Sequence, residues 1–379
     1  MSTEPLVSLE NVEVHFQSDG FLDKIFSHDD SVVKAVDDVS IDIAEQDVLA
    51  LVGESGCGKT TLGKTAVGLQ RPTGGSVKYR GQDIWAAKDS RNPDIPFDEI
   101  RRSLQIIHQD PGSSLNSNRT IVSCLSDPLK RWQPDMDVNE REHHIYRLLQ
   151  RVGMKPAEDY ATRFPHQLSG GEKQRVALIR AILMEPDLIL ADEAVSALDV
   201  SLRVEMMDLM LELQELVDTS FLFISHDFSN ARYLAEKADG RIGIMYLGKL
   251  VEIGPADRVL QNPQHPYTKV LAWATPPLDP DLAQKAQQTK PPVREIDIPD
   301  PKNPPSGCRF HNRCPEAREA CTGEVPELVE TECQTQAACF RMDDHHEYWE
   351  SEPLDADAAS DFETLDEKGG TTATADNDD

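Results

Sequence analysis

The sequence predicts an α/β fold: a parallel sheet covered by helices, built around a phosphate-binding loop, with a loop-rich extension behind it. Three observations predict it. Gly53-Glu54-Ser55-Gly56-Cys57-Gly58-Lys59-Thr60-Thr61 fits the pattern G-x-x-x-x-G-K-S/T. The apolar run Val48-Leu49-Ala50-Leu51-Val52 before it reads as a buried strand, and residues 62–69 after it, free of proline, as a helix. From residue 168 to 224, helical and strand patterns alternate, as parallel pairing requires.

Taken in order, residues 7–16 carry β-branched side chains with partial alternation and read as a strand. A polar, irregular insertion follows. Residues 32–43 read as two strands around a turn at Asp37-Asp38, and Gly74-Gly75-Ser76 as a turn before Val77-Lys78-Tyr79. Gly81-Gln82-Asp83-Ile84 closes that small sheet region. Residues 97–109 are basic and partly apolar. Residues 121–164 are helical in pattern, clearest where Ile145, Leu148, Leu149 and Val152 recur at helical spacing. A helix over 172–184, the strand Leu188-Ile189-Leu190-Ala191, a helix over 201–217 and the strand Phe221-Leu222-Phe223-Ile224 follow, then a strand-rich stretch over 241–253. Beyond Gly254-Pro255 the composition shifts. Prolines crowd residues 276–305, cysteines crowd 308–339, and 355–379 is acidic, poor in large apolar residues and read as disordered. The expected division is 1–255 (with a helical part at about 110–165), 256–345, and an acidic tail over 346–379.

No run approaches 18 apolar residues, so no membrane span is expected. Met1-Ser2-Thr3-Glu4 has neither the basic start nor the apolar stretch of a secretory signal, which points to the cytosol. Acidic residues number 67 against 38 basic, a net charge of −29. Such a field disfavours non-specific binding to nucleic acid. It suits a high-salt interior, where surface carboxylates maintain solubility; an acidic protein of ordinary habitat is the plainer alternative.

The chemistry lies in a few groups. Glycines let the amides of a phosphate loop turn inward around a polyphosphate, and the helix behind adds partial positive charge. Lys59 is placed to reach the β- and γ-phosphates and the Thr60 hydroxyl to hold Mg²⁺. Asp192 and Glu193 end an apolar strand: Asp192 suits Mg²⁺, Glu193 a water in line with the γ-phosphate. Alone, the pair also reads as a solvated acidic turn. Leu168-Ser169-Gly170-Gly171-Glu172 opens a second helix with small residues, a second set of amide donors. One nucleotide does not need two such sites within one chain, so this one is expected to cap a nucleotide held by a facing chain. Ser169 and Glu172 also fit a simple capping box.

These motifs, in this order over residues 5–255, resemble the ATP-binding cassette (ABC) family of transporter ATPases. The resemblance implies a P-loop NTPase core, with a RecA-like parallel sheet and an antiparallel β subdomain. It makes 53–61 the Walker A loop, Gln109 the Q-loop glutamine near Mg²⁺ and the attacking water, and Ser169, Gly170, Gly171 and Glu172 the signature motif. Asp192 is then the Walker B aspartate, Glu193 the catalytic glutamate, Asp199 in Ser196-Ala197-Leu198-Asp199 the D-loop aspartate and His226 the switch histidine. Phe16 falls where the family stacks an aromatic on adenine, with an ordinary core residue as its rival reading. Ala194 and His108 depart from the family's usual proline and aromatic. Two ATP molecules, sandwiched between two subunits, are implied to drive a membrane partner through the helical part at about 110–165.

Gln109-Asp110-Pro111-Gly112-Ser113-Ser114-Leu115-Asn116, Met245-Tyr246-Leu247-Gly248 and His265-Pro266-Tyr267-Thr268 are similar to the dipeptide/oligopeptide import branch, as is the closing segment Pro305-Ser306-Gly307-Cys308-Arg309-Phe310-His311-Asn312-Arg313-Cys314-Pro315. Four thiolates on so short a segment suit zinc or an iron–sulfur cluster, and spacing alone leaves both open. The branch implies a 4Fe–4S cluster on Cys308, Cys314, Cys321 and Cys339, with Cys333 competing as fourth ligand. Cys57 and Cys124 read as structural, and His311, His345 and His346 as solvated surface residues. The implied partners are two transmembrane permease subunits, a second ABC ATPase forming a heterodimer, and indirectly an extracellular solute-binding protein, with the chain peripheral on the cytoplasmic face of the membrane. The alternatives are a soluble ABC ATPase of iron–sulfur cluster assembly, or an importer of sugar or nickel. A chromosome or DNA-repair ATPase is disfavoured by the absence of a coiled coil between Lys59 and Ser169.

Overall fold

The structure, a computed structural model, describes residues 4–17, 32–275, 292–294, 297 and 299–354. The polar insertion, most of the proline-rich stretch and the acidic residues 355–379 lie outside the described residues.

Two sheets carry the molecule. The larger has the order β11-β12-β10-β9-β3-β8-β7-β6. Its centre is parallel: β9 (Arg241–Tyr246), β3 (Val48–Val52), β8 (Ser220–Ser225), β7 (Leu188–Asp192) and β6 (Leu104–Ile107). Every residue of β3, β7 and β8 is buried, which is why they read as unbroken apolar runs instead of alternating ones. Each large apolar side chain placed there contributes roughly 1.5–3 kcal/mol of burial free energy. The antiparallel strands β10 (Lys249–Pro255), β12 (Gln336–Ala337) and β11 (Val329–Glu330) extend one edge, so the cysteine-bearing extension joins the main sheet.

The smaller sheet, in the order β2-β1-β4-β5 with β5 at Gln82–Asp83, packs over the phosphate loop's helix and is antiparallel throughout. Here two expectations fail. Residues 32–43 form one strand, β2 (Val32–Ile43), not two around a turn. Asp38 takes a left-handed φ of 57°, but Asn11 on β1 (Val7–Gln17) donates to its carboxylate at 2.9 Å, so the chain bulges without reversing. Likewise Gly74-Gly75-Ser76 is no turn but the start of β4 (Gly74–Tyr79). Gly75 sits at φ 73°, and a Cβ there would lie 2.2 Å from the Asn11 carbonyl oxygen.

The helical expectations resolve into the helices Ile121–Trp132, Val138–Arg151 and Ala157–Thr162. Asp137 starts the second with a capping box to Glu140. The helix Lys59–Ala66 follows the phosphate loop, and Gly170–Ile182 and Val200–Val217 flank β7 in sequence. Among the described residues no helix is long and apolar enough to cross a membrane. Residues 346–354, expected to begin the acidic tail, fold back on the extension: Tyr348 Oη donates to the Glu316 carbonyl at 2.6 Å and the Leu354 amide to Ala317 at 3.1 Å.

Candidate nucleotide site

The site lies at the carboxyl ends of the parallel strands. β3 and β7 both flank β8, so the chain segments leaving the three strands meet at one edge. Gly58 takes φ 106°, and a Cβ there would stand 2.0 Å from the Ala35 carbonyl oxygen, so the loop's close approach to β2 admits only glycine. Lys59 is buried and turns its ammonium over the loop, donating to the carbonyls of Gly53 at 2.8 Å and Glu54 at 2.9 Å. Ser55 and Gly56 are exposed, Cys57 is buried, and Thr61 is half-buried on the first helical turn.

Thr60 Oγ1 donates to Asp192 Oδ1 at 2.7 Å. Two neighbouring oxygen ligands of an octahedral magnesium ion stand about 3.0 Å apart, given Mg–O distances of about 2.1 Å. The hydroxyl and the carboxylate therefore fit that ion in chemistry and in spacing. Glu193 follows with φ 49°, a conformation that costs a non-glycine residue on the order of 1 kcal/mol. Its amide donates to Ile224 at 3.1 Å, and its carbonyl accepts from the Ser196 amide at 3.1 Å and hydroxyl at 2.9 Å. Held so, its carboxylate lies 3.2 Å from Nδ1 of the exposed His226. Gln109 is exposed just past the end of β6, the strand beside β7.

The second glycine motif closes on itself. Ser169 and Glu172 form a reciprocal capping box, with the Ser169 amide 2.7 Å from Glu172 Oε2 and the Glu172 amide 3.3 Å from Ser169 Oγ. Among the described residues, a Cβ on Gly170 would meet nothing within 4 Å, and one on Gly171 only ordinary contacts with Leu198 and Leu202. Asp199 caps the helix Val200–Val217, accepting from the Leu202 amide at 3.1 Å. Phe16 pairs with Val33 near the end of β1 and is 42 % exposed; its core reading is overturned, because the side chain points away from the packed face.

Some connecting residues were missed by sequence reasoning. Buried Gln174 donates to the Ala194 carbonyl and ties the helix Gly170–Ile182 to the residue after Glu193. Arg203 donates to the carbonyls of Leu198 at 2.7 Å and Ser196 at 3.2 Å and pairs with Asp227 at 3.4 Å, joining the Asp199 turn to the His226 loop. Tyr267 and Arg313 reach Glu54 in the phosphate loop. A polar residue on an apolar stripe marks Gln174; no local signal marks the others, whose partners lie far along the chain.

In the extension, Cys308, Cys314, Cys321 and Cys339 line one cavity of about 20 Å³. The Cys308 amide donates to the Cys321 carbonyl at 2.9 Å. Burial pushes the Cys308 thiol up to about 12 and the Cys339 thiol up to about 11, and neighbouring thiols add to both. Four cysteines bordering one cavity suit a soft metal centre in chemistry, but among the described residues no group of ligands stands assembled around a metal position. Cys333 lies elsewhere, its sulfur accepting from Asn262 Nδ2 at 2.9 Å. His311 is no surface residue: it is buried, with Nδ1 2.8 Å from the Cys308 carbonyl oxygen. His346 is not freely solvated either, since it stacks on Phe340 at 4.1 Å. His345 is exposed.

Comparison with known proteins agrees with this geometry. Residues 36–196 match the ABC transporter family model, and residues 251–321 match the oligopeptide/dipeptide transporter C-terminal region. The chain is 40% identical over 313 residues to the di/tripeptide transport ATP-binding protein DppF of Pseudomonas aeruginosa, covering 82% of this chain and 91% of that protein. It belongs to the ABC transporter family. This ABC ATPase is also 38% identical to the oligopeptide transport ATP-binding protein AppF of Bacillus subtilis (89% of this chain, 97% of that one) and 37% identical to OppF of Salmonella typhimurium (89% and 96%). Among solved structures it resembles the ATP-binding cassette MJ0796, a dimer in a post-hydrolysis state bound to ADP and Pi. That match has a TM-score of 0.53 at 25% identity and covers 66% of this chain and 98% of that one. The fold is that of an ABC ATPase, and the reaction of the family is ATP hydrolysis.

Proposed function

We propose that this ABC ATPase is the ATP-hydrolysing subunit of a dipeptide or oligopeptide importer, acting on permeases at the cytoplasmic face of the membrane. The observation that carries the reading is the oligopeptide/dipeptide transporter C-terminal region, matched directly after the ATPase core. The relatives' peptide-transport names favour it over cluster assembly or sugar and nickel uptake.

In this reading Lys59 and the loop amides stabilise charge on the γ-phosphoryl group, Gln109 and Glu193 orient the attacking water, and His226 holds Glu193 in place. Thr60 and Asp192 would hold Mg²⁺, which would neutralise phosphate charge. Phe16 receives the adenine. Ser169, Gly170, Gly171, Glu172 and Asp199 face a second ATPase subunit across its nucleotide. The open space at Gly170 supports that role, because none of the described residues accounts for the missing side chain there. The permease docks in a groove of about 580 Å³ between the helix Ile121–Trp132, β6 and the helix Gly170–Ile182, floored by Ile106, Ala177, Ala181 and Trp132. The working division remains 1–255 for the ATPase and 256 onward for the extension. Cys308, Cys314, Cys321 and Cys339 would hold a 4Fe–4S cluster, which would pin the extension. Aerobic and anaerobic preparations assayed for iron, sulfide and visible absorbance test it. The net charge alone supports a high-salt habitat.

The deciding experiment is a gentle affinity pull-down from native membranes in high salt, read by mass spectrometry. Two polytopic permeases, a second ATPase and a solute-binding protein are expected. Recovery from the soluble fraction with cluster-assembly proteins and no permease would overturn the reading.

A further inference from the structure

We propose that the C-terminal extension is part of the nucleotide-binding apparatus, with Tyr267 and Arg313 as positioning residues that hold the phosphate loop through Glu54. This rests on the nucleotide-site reading above and assigns the extension a task within it.

Glu54 is the first variable position of the loop, and three of its groups are tied. Its amide donates to Tyr267 Oη at 3.0 Å. Its carboxylate accepts Arg313 Nη1 at both oxygens, at 2.9 and 3.0 Å. Its carbonyl accepts the Lys59 ammonium at 2.9 Å. A continuous path of charge-assisted contacts thus runs from the cysteine segment to the lysine of the loop. The amide is telling: in a phosphate loop amides converge on the anion, whereas this one is held by a hydroxyl far along the chain. It serves as an anchor for the loop.

The anchor is rigid. Tyr267 is fully buried, its ring centroid 4.6 Å from Tyr246 and 5.4 Å from Phe310. The Arg313 guanidinium lies 5.7 Å from the centroids of both Tyr246 and Phe310, with Nη1 3.3 Å from Tyr246 Oη. A second grip lies on the loop's far side. Arg309 donates to the Leu247 carbonyl and pairs with Asp37, and the next amide, Gly248, donates to the Cys57 carbonyl at 2.8 Å. Arg309 and Arg313 therefore hold the loop from two directions. A buried ion pair adds little net stability, since desolvation offsets attraction; what it fixes is geometry, and here the geometry is that of the residues around Lys59.

The test measures ATP affinity and turnover on the full chain for Tyr267→Phe, Arg313→Met, Arg313→Lys, Glu54→Gln and the Glu54→Gln/Arg313→Met pair. Tyr267→Phe, which removes one hydroxyl and keeps the packing, is expected to weaken ATP binding about fivefold. Arg313→Met is expected to weaken it about tenfold, with partial recovery in Arg313→Lys. KM for ATP rises in step while kcat at saturating ATP holds. With Glu54 already changed, Arg313→Met adds nothing further, because it acts through that residue. Should Arg313→Met fail to fold, Arg313→Lys against Glu54→Gln forms the same cycle, since both act on the Glu54 carboxylate. Wild-type affinity in Tyr267→Phe and in whichever Arg313 variants fold, or losses that add in the double variant, would overturn the inference and leave the nucleotide site standing. A wild-type chain that binds no ATP would remove both.

Discussion

At the scale of single residues, the site joins buried, tied groups such as Lys59 and Asp192 to exposed ones such as Gln109 and His226. The Glu193 backbone, at a left-handed φ of 49°, is tied to Ile224 and Ser196, and its carboxylate meets His226 at 3.2 Å. Glu193→Gln keeps the shape and removes the charge that, in the proposed mechanism, polarises water. Phosphate release is expected to fall at least about 100-fold, the lower end for a general base, while ATP affinity changes less than twofold; a direct binding titration beside a phosphate-release assay checks both. These residues were legible because phosphate chemistry fixes their types and their spacing along a strand–loop–helix unit. Tyr267, Arg313, Gln174 and Arg203 were not, because each meets a partner that only the fold brings near.

At the scale of elements, the extension is strapped to the core through Asp37 on β2. Burial pushes the Asp37 carboxyl up, but Lys249, Arg309 and Lys34 together outweigh it and hold it below its ordinary value of 3.8. A carboxylate held lower in the folded state contributes stability above that ordinary value and loses it as pH falls. Asp37→Asn is therefore expected to unfold at lower urea than wild type at pH 7, with the gap closing as pH drops below about 3.8. Urea titrations of both chains across that range measure it. The central strands were readable as apolar runs because both their faces are covered. The bulge in β2 was not, since it depends on Asn11 in the neighbouring strand and not on Asp37-Asp38 alone. The fold-back of residues 346–354 was hidden by their acidic composition, though Tyr348 supplies a buried apolar body.

At the scale of the whole molecule, a net charge of −29 works against compactness through self-repulsion, and salt relieves it. The urea midpoint is expected to rise from low to multimolar KCl; a chain most stable without salt would place it in an ordinary cytosol instead. The empty space at Gly170 has a genetic meaning as well. Gly170→Asp would fold, fill its own phosphate loop and enter assemblies as readily as the normal chain. In the proposed assembly it would spoil only the pocket presented to the second subunit. Such an allele would be dominant: its product would poison complexes built from otherwise healthy subunits, in proportion to its dose.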